Sequence, residues 1–228
     1  MTDHEEQAVV STKVRNLVLR AIPLEIFGTF SLCYIGGMAC AMGDNDNLSL
    51  NGIALCHGGI LALMVYIAAD ISGGHFNPAV SFAMFLLDKQ DFIVTMMYCG
   101  AQLLGGMIAG ALICFNLSTG YISKMLMQDH TVLGYPNTAI AYSRWQAFLA
   151  ETIATMTLVM GIILACETWS QKTEKKGYFA LCIGMILASA IYGIGPVTGG
   201  ALNPARMLGP MLVSGTVQTF TLPYIGGT

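Results

Sequence analysis

Long apolar segments alternate with short polar segments along most of the chain. The apolar segments cover about residues 21–42, 52–70, 92–115, 145–166 and 178–195, and a sixth begins near residue 218. Each complete segment is close to the ~20 residues that an α-helix needs to cross the hydrocarbon core of a bilayer. The pattern predicts an all-α membrane protein with six transmembrane helices. We expect the sixth helix to be truncated in this chain by about a dozen residues, judged from the length of the third span.

The two halves of the chain repeat each other. The string Ser-Gly-Gly-His-Phe-Asn-Pro-Ala at residues 72–79 matches Thr-Gly-Gly-Ala-Leu-Asn-Pro-Ala at residues 198–205, at an offset of 126 positions. Because each half carries three spans, an odd number, the second half enters the membrane from the opposite side. The chain is therefore predicted to be an inverted repeat. Repeat one covers about 21–116, the connecting outer loop about 117–144 and repeat two about 145–228.

Composition and charge place the chain in a membrane and orient it there. Hydrophobic residues make up 55% of the chain and charged residues 10%, with a mean hydropathy of +0.65 and a net charge of -3, which excludes a nucleic-acid partner. Most Lys and Arg residues fall on the side of the N-terminal segment 1–20, namely Lys13, Arg15, Arg20, Lys89, Lys172, Lys175 and Lys176. By the positive-inside bias, that segment is cytoplasmic and residues 21–228 form the membrane domain. Both the plasma membrane and an internal, vacuolar membrane fit these observations.

Two further apolar runs are too short to cross a membrane. One covers residues 80–87 and the other 207–213, and each follows a Gly-Gly turn and an Asn-Pro-Ala box. The Asn of each box, Asn77 or Asn203, suits the N-cap of a helix, and the Pro suits the first helical position, where its missing N–H costs nothing. The pattern predicts two re-entrant half-helices that enter from opposite faces and meet N-terminus to N-terminus at the midplane. Irregular backbone at that depth is tolerated only where it is buried or lines a wet cavity.

The two boxes resemble the signature of the aquaporin family. They are Asn77-Pro78-Ala79 and Asn203-Pro204-Ala205, and Arg206 directly follows the second. The resemblance covers essentially the whole chain from Pro23 onward. It implies the aquaporin fold, a passive pore through the lipid bilayer for water and small neutral solutes, and a homotetramer with one pore in each subunit.

The resemblance also assigns roles to buried polar residues. Two half-helix N-termini each present roughly +0.5 charge to the same point, which repels cations. A water oxygen that accepts hydrogen bonds from both Asn77 and Asn203 can only donate outward, so a proton relay is interrupted there. In the family, the glutamates that match Glu25 and Glu151 brace the re-entrant loops by accepting backbone N–H bonds, and the histidine that matches His75 holds the first loop.

A selectivity filter is implied at fixed distances from the boxes, formed by His57, Ile191, Gly200 and Arg206. Strict water channels of the family usually have Phe and His at the first two positions, so His and Ile widen the constriction. The set is similar to that of ammonia-permeable tonoplast intrinsic proteins, in which an outer-loop histidine also approaches the filter. His130 is the candidate for that role here, with a solvated loop histidine as the alternative. Because Gly200 stands where the family often has a cysteine, we expect weak inhibition by mercurials.

Other functions stay open at this stage. Glycerol facilitators usually have Asp after the filter Arg, whereas this chain has Met207, although Gly200 leaves room for glycerol or urea. A secondary transporter also fits an inverted repeat, but it needs a titratable group or ion site where this chain has neutral asparagines. A structural junction protein would need a blocked filter. Since the sequence contains no catalytic constellation, phosphate loop or metal-ligand cluster, we expect neither an enzyme nor a cofactor.

Overall fold

The computed structural model describes residues 14–43, 48–117, 142–169 and 176–215, together with residues 12 and 227. They form helices α1 (Ile22–Gly43, entered through a π-helical turn at Leu17–Ala21), α2 (Leu50–Ala68), α3 (Pro78–Leu86), α4 (Phe92–Asn116), α5 (Arg144–Trp169), α6 (Lys176–Thr198) and α7 (Pro204–Ser214). Helices α1, α2, α4, α5 and α6 are long and apolar enough to cross a membrane, which confirms the predicted spans. Most of the predicted sixth span, His130 and most of the N-terminal segment lie outside the described residues.

The spanning helices turn apolar side chains outward and polar side chains inward. Phe115 is 85% exposed and Ile93 is 73% exposed, whereas Glu25, Glu151 and Gln102 are fully buried. This arrangement is the reverse of a water-soluble helix bundle. The reason is that lipid tails solvate apolar side chains but offer no hydrogen-bond partner to a polar group. The polar groups that matter for function therefore lie between the helices.

Glycines set the close approach of neighbouring helices. The backbones of Gly58 in α2 and Gly184 in α6 lie against each other, so a side chain at either position would overlap the facing carbonyl oxygen. In α4, Gly105 lies against the backbone of α1, and Gly106 lies against the backbone of α7 at Gly209. Between lipid-embedded helices, dispersion contacts replace the hydrophobic effect as the main source of packing energy, and small residues maximise them. These contacts join α2 to α6, and they join α4 to both α1 and α7.

Helices α3 and α7 are the predicted half-helices. They contain 9 and 11 residues, so they span roughly 14 and 17 Å, about half of the hydrocarbon core. Each begins with the proline of its box at the first helical position, and α7 ends at Gly215, whose φ of 68° is the left-handed conformation that favours glycine. The short runs at 80–87 and 207–213 are therefore helical, and each helix begins two or three residues earlier, at the box itself.

Candidate functional site

The two half-helices begin at the paired asparagines. The Oδ1 atom of Asn77 accepts a hydrogen bond from the N–H of Ala79 at 2.9 Å. In the second repeat, Oδ1 of Asn203 accepts from the N–H groups of Ala205 at 2.9 Å and Arg206 at 3.2 Å. Each side-chain oxygen thus caps its own helix, which leaves the side-chain N–H₂ group to make other contacts.

The amide groups of these asparagines join the two re-entrant loops to each other. Nδ2 of Asn77 donates to the carbonyl oxygen of Leu202 at 2.7 Å, and Nδ2 of Asn203 donates to the carbonyl oxygen of Phe76 at 2.8 Å. The two bonds are related by the internal repeat. Since an amide N–H₂ has two donors, one N–H of each asparagine remains for a third partner. Sequence reasoning did not foresee these crossed bonds, because nothing local in either box specifies a partner in the other half.

The residue before each asparagine has a left-handed backbone. Phe76 has a φ of 51° and Leu202 a φ of 50°, a conformation that costs a residue with a side chain roughly 1–2 kcal/mol. Two buried carboxylates hold these residues in place. Oε2 of Glu25 accepts the N–H of Phe76 at 2.7 Å, and Oε2 of Glu151 accepts the N–H of Leu202 at 2.9 Å. The left-handed turn points each carbonyl towards the opposite asparagine.

Each carboxylate accepts a second backbone N–H from the same loop. Oε1 of Glu25 accepts from His75 at 3.1 Å, and Oε1 of Glu151 accepts from Ala201 at 2.9 Å. Both glutamates therefore accept the same pair of backbone N–H groups, at equivalent positions of the two repeats. A carboxylate is suited to this position because it offers acceptors to several N–H groups that have no helical partner.

A polar network surrounds Glu25 in the first repeat. Gln102 donates through Nε2 to Glu25 at 2.8 Å and to the hydroxyl of Ser81 at 2.9 Å, and Ser81 lies 3.1 Å from Nδ1 of His75. Ser72 donates to Oε1 of Glu25 at 2.7 Å. Since the Gln102 amide already donates to the Ser81 oxygen, the Ser81 proton is available for the His75 ring nitrogen. His75 is thus held by α3 and α4.

Sequence reasoning missed three of these supporting residues, Ser72, Ser81 and Gln102, and also Tyr98, which donates to the carbonyl oxygen of Ser72 at 2.8 Å. A polar side chain inside an apolar span was the available signal for Gln102. For Ser72 and Ser81, only the folded loop shows what their hydroxyl groups contact.

A cavity of about 200 Å³ reaches the junction of the two loops. Asn77, Asn203 and Arg206 line it together with residues 73–76 of the first re-entrant loop. The rest of its wall is largely apolar. Within the described part of the chain, no group of three His, Cys, Asp or Glu side chains is placed to hold a metal ion. The cavity offers a polar solute a few donors on an otherwise apolar path.

Arg206 is anchored beside this junction. It is 2% exposed, and its Nη1 atom donates to the carbonyl oxygens of Gly200 at 2.5 Å and Ala201 at 3.2 Å. Its Nε atom has no hydrogen-bond partner among the described residues. Because two loop carbonyls hold one side of the guanidinium, its charge stays in one place.

The other predicted filter residues, His57, Ile191 and Gly200, are not part of the cavity lining. Ile191 is 1% exposed, and a Cβ atom at Gly200 would lie 3.1 Å from its Cα atom. His57 is fully buried. The described residues thus bring together Ile191, Gly200 and Arg206, whereas His57 lies against Gly36 of α1. His130, the possible outer-loop contact, lies outside them.

These features define a class of protein. Two half-helices from opposite sides meet inside a bundle of membrane-spanning helices, and asparagine amides and an arginine face a narrow cavity at the meeting point. Irregular backbone at membrane depth is tolerated around such a polar path. The arrangement is that of a membrane channel built from an inverted repeat.

Comparison with known proteins identifies the family. A family model described as Major intrinsic protein matches residues 11–227. Aquaporin NIP3-1 of Arabidopsis thaliana is 36% identical over 211 residues, which cover 89% of this chain and 62% of the length of that protein. Aquaporin TIP2-1 of the same plant is 33% identical over 217 residues, covering 91% and 81%. The solved aquaglyceroporin from Plasmodium falciparum has a TM-score of 0.73 at 24% identity and covers 92% of this chain and 90% of that chain.

The chain belongs to the major intrinsic protein family, the family of the aquaporins. Members of this family are channels and not enzymes. The predicted all-α aquaporin fold is confirmed by the likeness to the solved aquaglyceroporin. The protein is therefore a multi-pass membrane protein of the channel class.

Proposed function

We propose that this chain is a passive channel for water and small neutral solutes, including ammonia, that excludes protons and other ions. The observation that carries the proposal is the pair of crossed bonds from Asn77 and Asn203, which fixes both half-helix N-termini beside one cavity. Each N-terminus contributes roughly +0.5 charge, and Arg206 adds a full charge nearby. A cation meets repulsion there, whereas a neutral solute meets hydrogen-bond donors.

The crossed bonds also support the proposed block of proton transfer. One N–H of each asparagine is used on the opposite loop, so one N–H of each remains for a water molecule. A water oxygen that accepts both has its lone pairs occupied. It then donates both of its hydrogen bonds outward, along the single file of water molecules in the pore. The waters on its two sides are therefore oriented in opposite directions, and no proton passes.

Ammonia permeation rests on the proposed filter of His57, Ile191, Gly200 and Arg206, with His130 as an outer-loop contact. Ile191 adds no polar group, and Gly200 adds no side chain beside the guanidinium. Because the charge of Arg206 repels the ammonium ion, the species that permeates is neutral ammonia. The proposed supporting residues are Glu25, Glu151 and His75.

Stopped-flow measurements on proteoliposomes test the proposal. Shrinkage in a sucrose gradient reports water flux, and internal alkalinisation reports ammonia flux. We expect the unmodified chain to raise both above the flux of protein-free liposomes, and the His57→Phe/Ile191→His variant to keep water flux while losing ammonia flux. Water flux alone in both proteins would restrict the function to a water channel and refute the filter assignment.

A facilitator for glycerol or urea besides water is the second candidate. The wall of the cavity favours it, because most lining residues are apolar and would contact the carbon face of a polyol, while Arg206 and the asparagines bind its hydroxyl groups. Met207, where glycerol facilitators usually have Asp, disfavours it. Swelling of the same liposomes in isotonic glycerol or urea distinguishes the two candidates.

We also propose that the N-terminus is cytoplasmic, that the chain forms a homotetramer, and that it resides in the plasma membrane or a vacuolar membrane. The asymmetry of Lys and Arg supports the orientation. Cross-linking in the native membrane, and protease access to a tag at residue 1, test the assembly and the orientation separately.

A further inference from the structure

The imidazole of His57 fills a notch in the neighbouring helix α1 at Gly36. A Cβ atom built at Gly36 would overlap the Nε2 and Cδ2 atoms of the ring and would lie 2.7 Å from its Cε1 atom. Real Cβ atoms do not approach other atoms so closely. Only glycine at position 36 therefore permits the observed ring position.

Both helices are packed closely against other helices of the bundle. Helix α2 is held next to His57 by the backbone contact of Gly58 with Gly184 in α6. Helix α1 is held by Gly105 of α4, where an added Cβ atom would lie 2.9 Å from the amide nitrogen of Phe30. Since close-packed backbones respond to added volume as rigid units, the side chain of His57 has to yield instead.

A hydrogen bond fixes the orientation of the ring in the notch. Nδ1 of His57 lies 2.9 Å from the carbonyl oxygen of Ile53, one turn earlier in α2. A carbonyl can only accept, so Nδ1 carries the proton, and in the neutral ring Nε2 is then a bare acceptor. Nε2 has no hydrogen-bond partner among the described residues. A rotated ring would give up the bond to Ile53 and carry this acceptor to a new place.

Gly36 lies on a face of α1 that is buried inside the bundle. Leu32 lines the cavity. Cys33, one turn before Gly36, is 3% exposed. His57 is itself fully buried and does not line the cavity. In the proposed filter its ring is a neighbour of Arg206, so a ring that leaves the notch changes the constriction.

We propose that Gly36 is a specificity-determining residue, because the space it leaves for the His57 imidazole sets the width of the constriction at Arg206. This inference rests on the proposed function. With glycine at position 36, the imidazole is held against α1 and the path stays wide enough for solutes other than water. Any larger residue at position 36 turns the imidazole towards the guanidinium and narrows the path.

The test is a double-mutant cycle in proteoliposomes that measures the ratio of ammonia flux to water flux. We expect Gly36→Ala to lower this ratio about tenfold, the change that about 1.4 kcal/mol of barrier height produces. In a His57→Ala background the same substitution has no ring to displace, so Gly36→Ala/His57→Ala should have the ratio of His57→Ala alone. Gly59→Ala is the matched control, because Gly59 lies in α2, is exposed and has no atom within 4 Å of its Cβ position.

Each outcome of the double-mutant cycle either supports or overturns the inference about Gly36. An unchanged ratio in Gly36→Ala, or an equal fall in the presence and absence of His57, overturns the inference. If Gly36→Ala does not fold, the double variant decides. A folded double variant with the ratio of His57→Ala supports the notch, and a double variant that also fails to fold overturns it. Absence of both fluxes in the unmodified chain refutes the proposed function itself, and this inference with it.

Discussion

Replacing Glu25 by Gln tests whether a buried carboxylate holds the first re-entrant loop. The carboxylate accepts four hydrogen bonds, from the Ser72 hydroxyl, the Gln102 amide and the N–H groups of His75 and Phe76. In the variant, one of the two oxygens becomes an N–H₂ group, which cannot accept. The hydroxyl and the amide can turn to accept from the new donor, but a backbone N–H cannot.

The expected loss in the free energy of unfolding follows from the number of backbone N–H groups that lose their acceptor. Each carboxylate oxygen serves one backbone N–H, so the variant leaves one buried N–H without an acceptor, at about 1–3 kcal/mol. The second repeat provides an independent copy, because Glu151 accepts one backbone N–H at each oxygen as well. We therefore expect Glu25→Gln and Glu151→Gln each to lower the free energy of unfolding by about 1–3 kcal/mol. Water flux should fall as well, because Phe76 and Leu202 hold the asparagine amides.

Unfolding by sodium dodecyl sulfate in mixed micelles measures the free energy, and stopped-flow shrinkage measures the flux. Glu167→Gln is the control, since it removes the same charge from an exposed ion pair with Lys89, where a loss within about 1 kcal/mol is expected. If Glu25→Gln and Glu151→Gln were as stable as this control, the glutamates would not brace the loops.

Three further variants test other parts of the site. Arg206→Ala should admit larger solutes and cations, because it removes the charge at the constriction; unchanged solute and ion fluxes in liposomes would contradict the filter assignment. Gly200 predicts weak mercurial inhibition from outside, whereas Cys166 lines the cavity, so block from the inner side should occur and should disappear in Cys166→Ser. Gly106→Ala should destabilise the fold by about 1–3 kcal/mol, because its side chain would overlap the α7 backbone. Gly100→Ala, which has open space at that position, should not, and equal micelle unfolding of the two would refute the packing account.

Much of the fold could be predicted from the chain alone. The five described spans lie within a few residues of the apolar segments, because a bilayer demands one length of apolar helix and the sequence displays that length directly. The half-helices could be predicted from the two boxes for a similar reason. An Asn-Pro pair at a helix start is a local rule that holds whatever lies around it.

The site was predictable only in part. Glu25 and Glu151 stood out as charges in apolar segments, which need partners, and both accept two backbone N–H groups. The crossed bonds of Asn77 and Asn203 could not be predicted, because each depends on a carbonyl more than a hundred positions away and on a left-handed turn before it. The orientation of His57 in its notch depends in the same way on another helix.

The sequence by itself determined the class of this protein: its spans, its inverted repeat, its boxes and its buried charges follow from local rules about helices and lipid. Only the tertiary structure decided how the two loops are joined and which way the filter side chains turn. The physical reason is that hydrogen bonds and steric notches act over a few ångströms between segments that are far apart in the chain. Local helix propensity does not say which distant segments of the chain come within a few ångströms of each other. Only the packed helix bundle determines that.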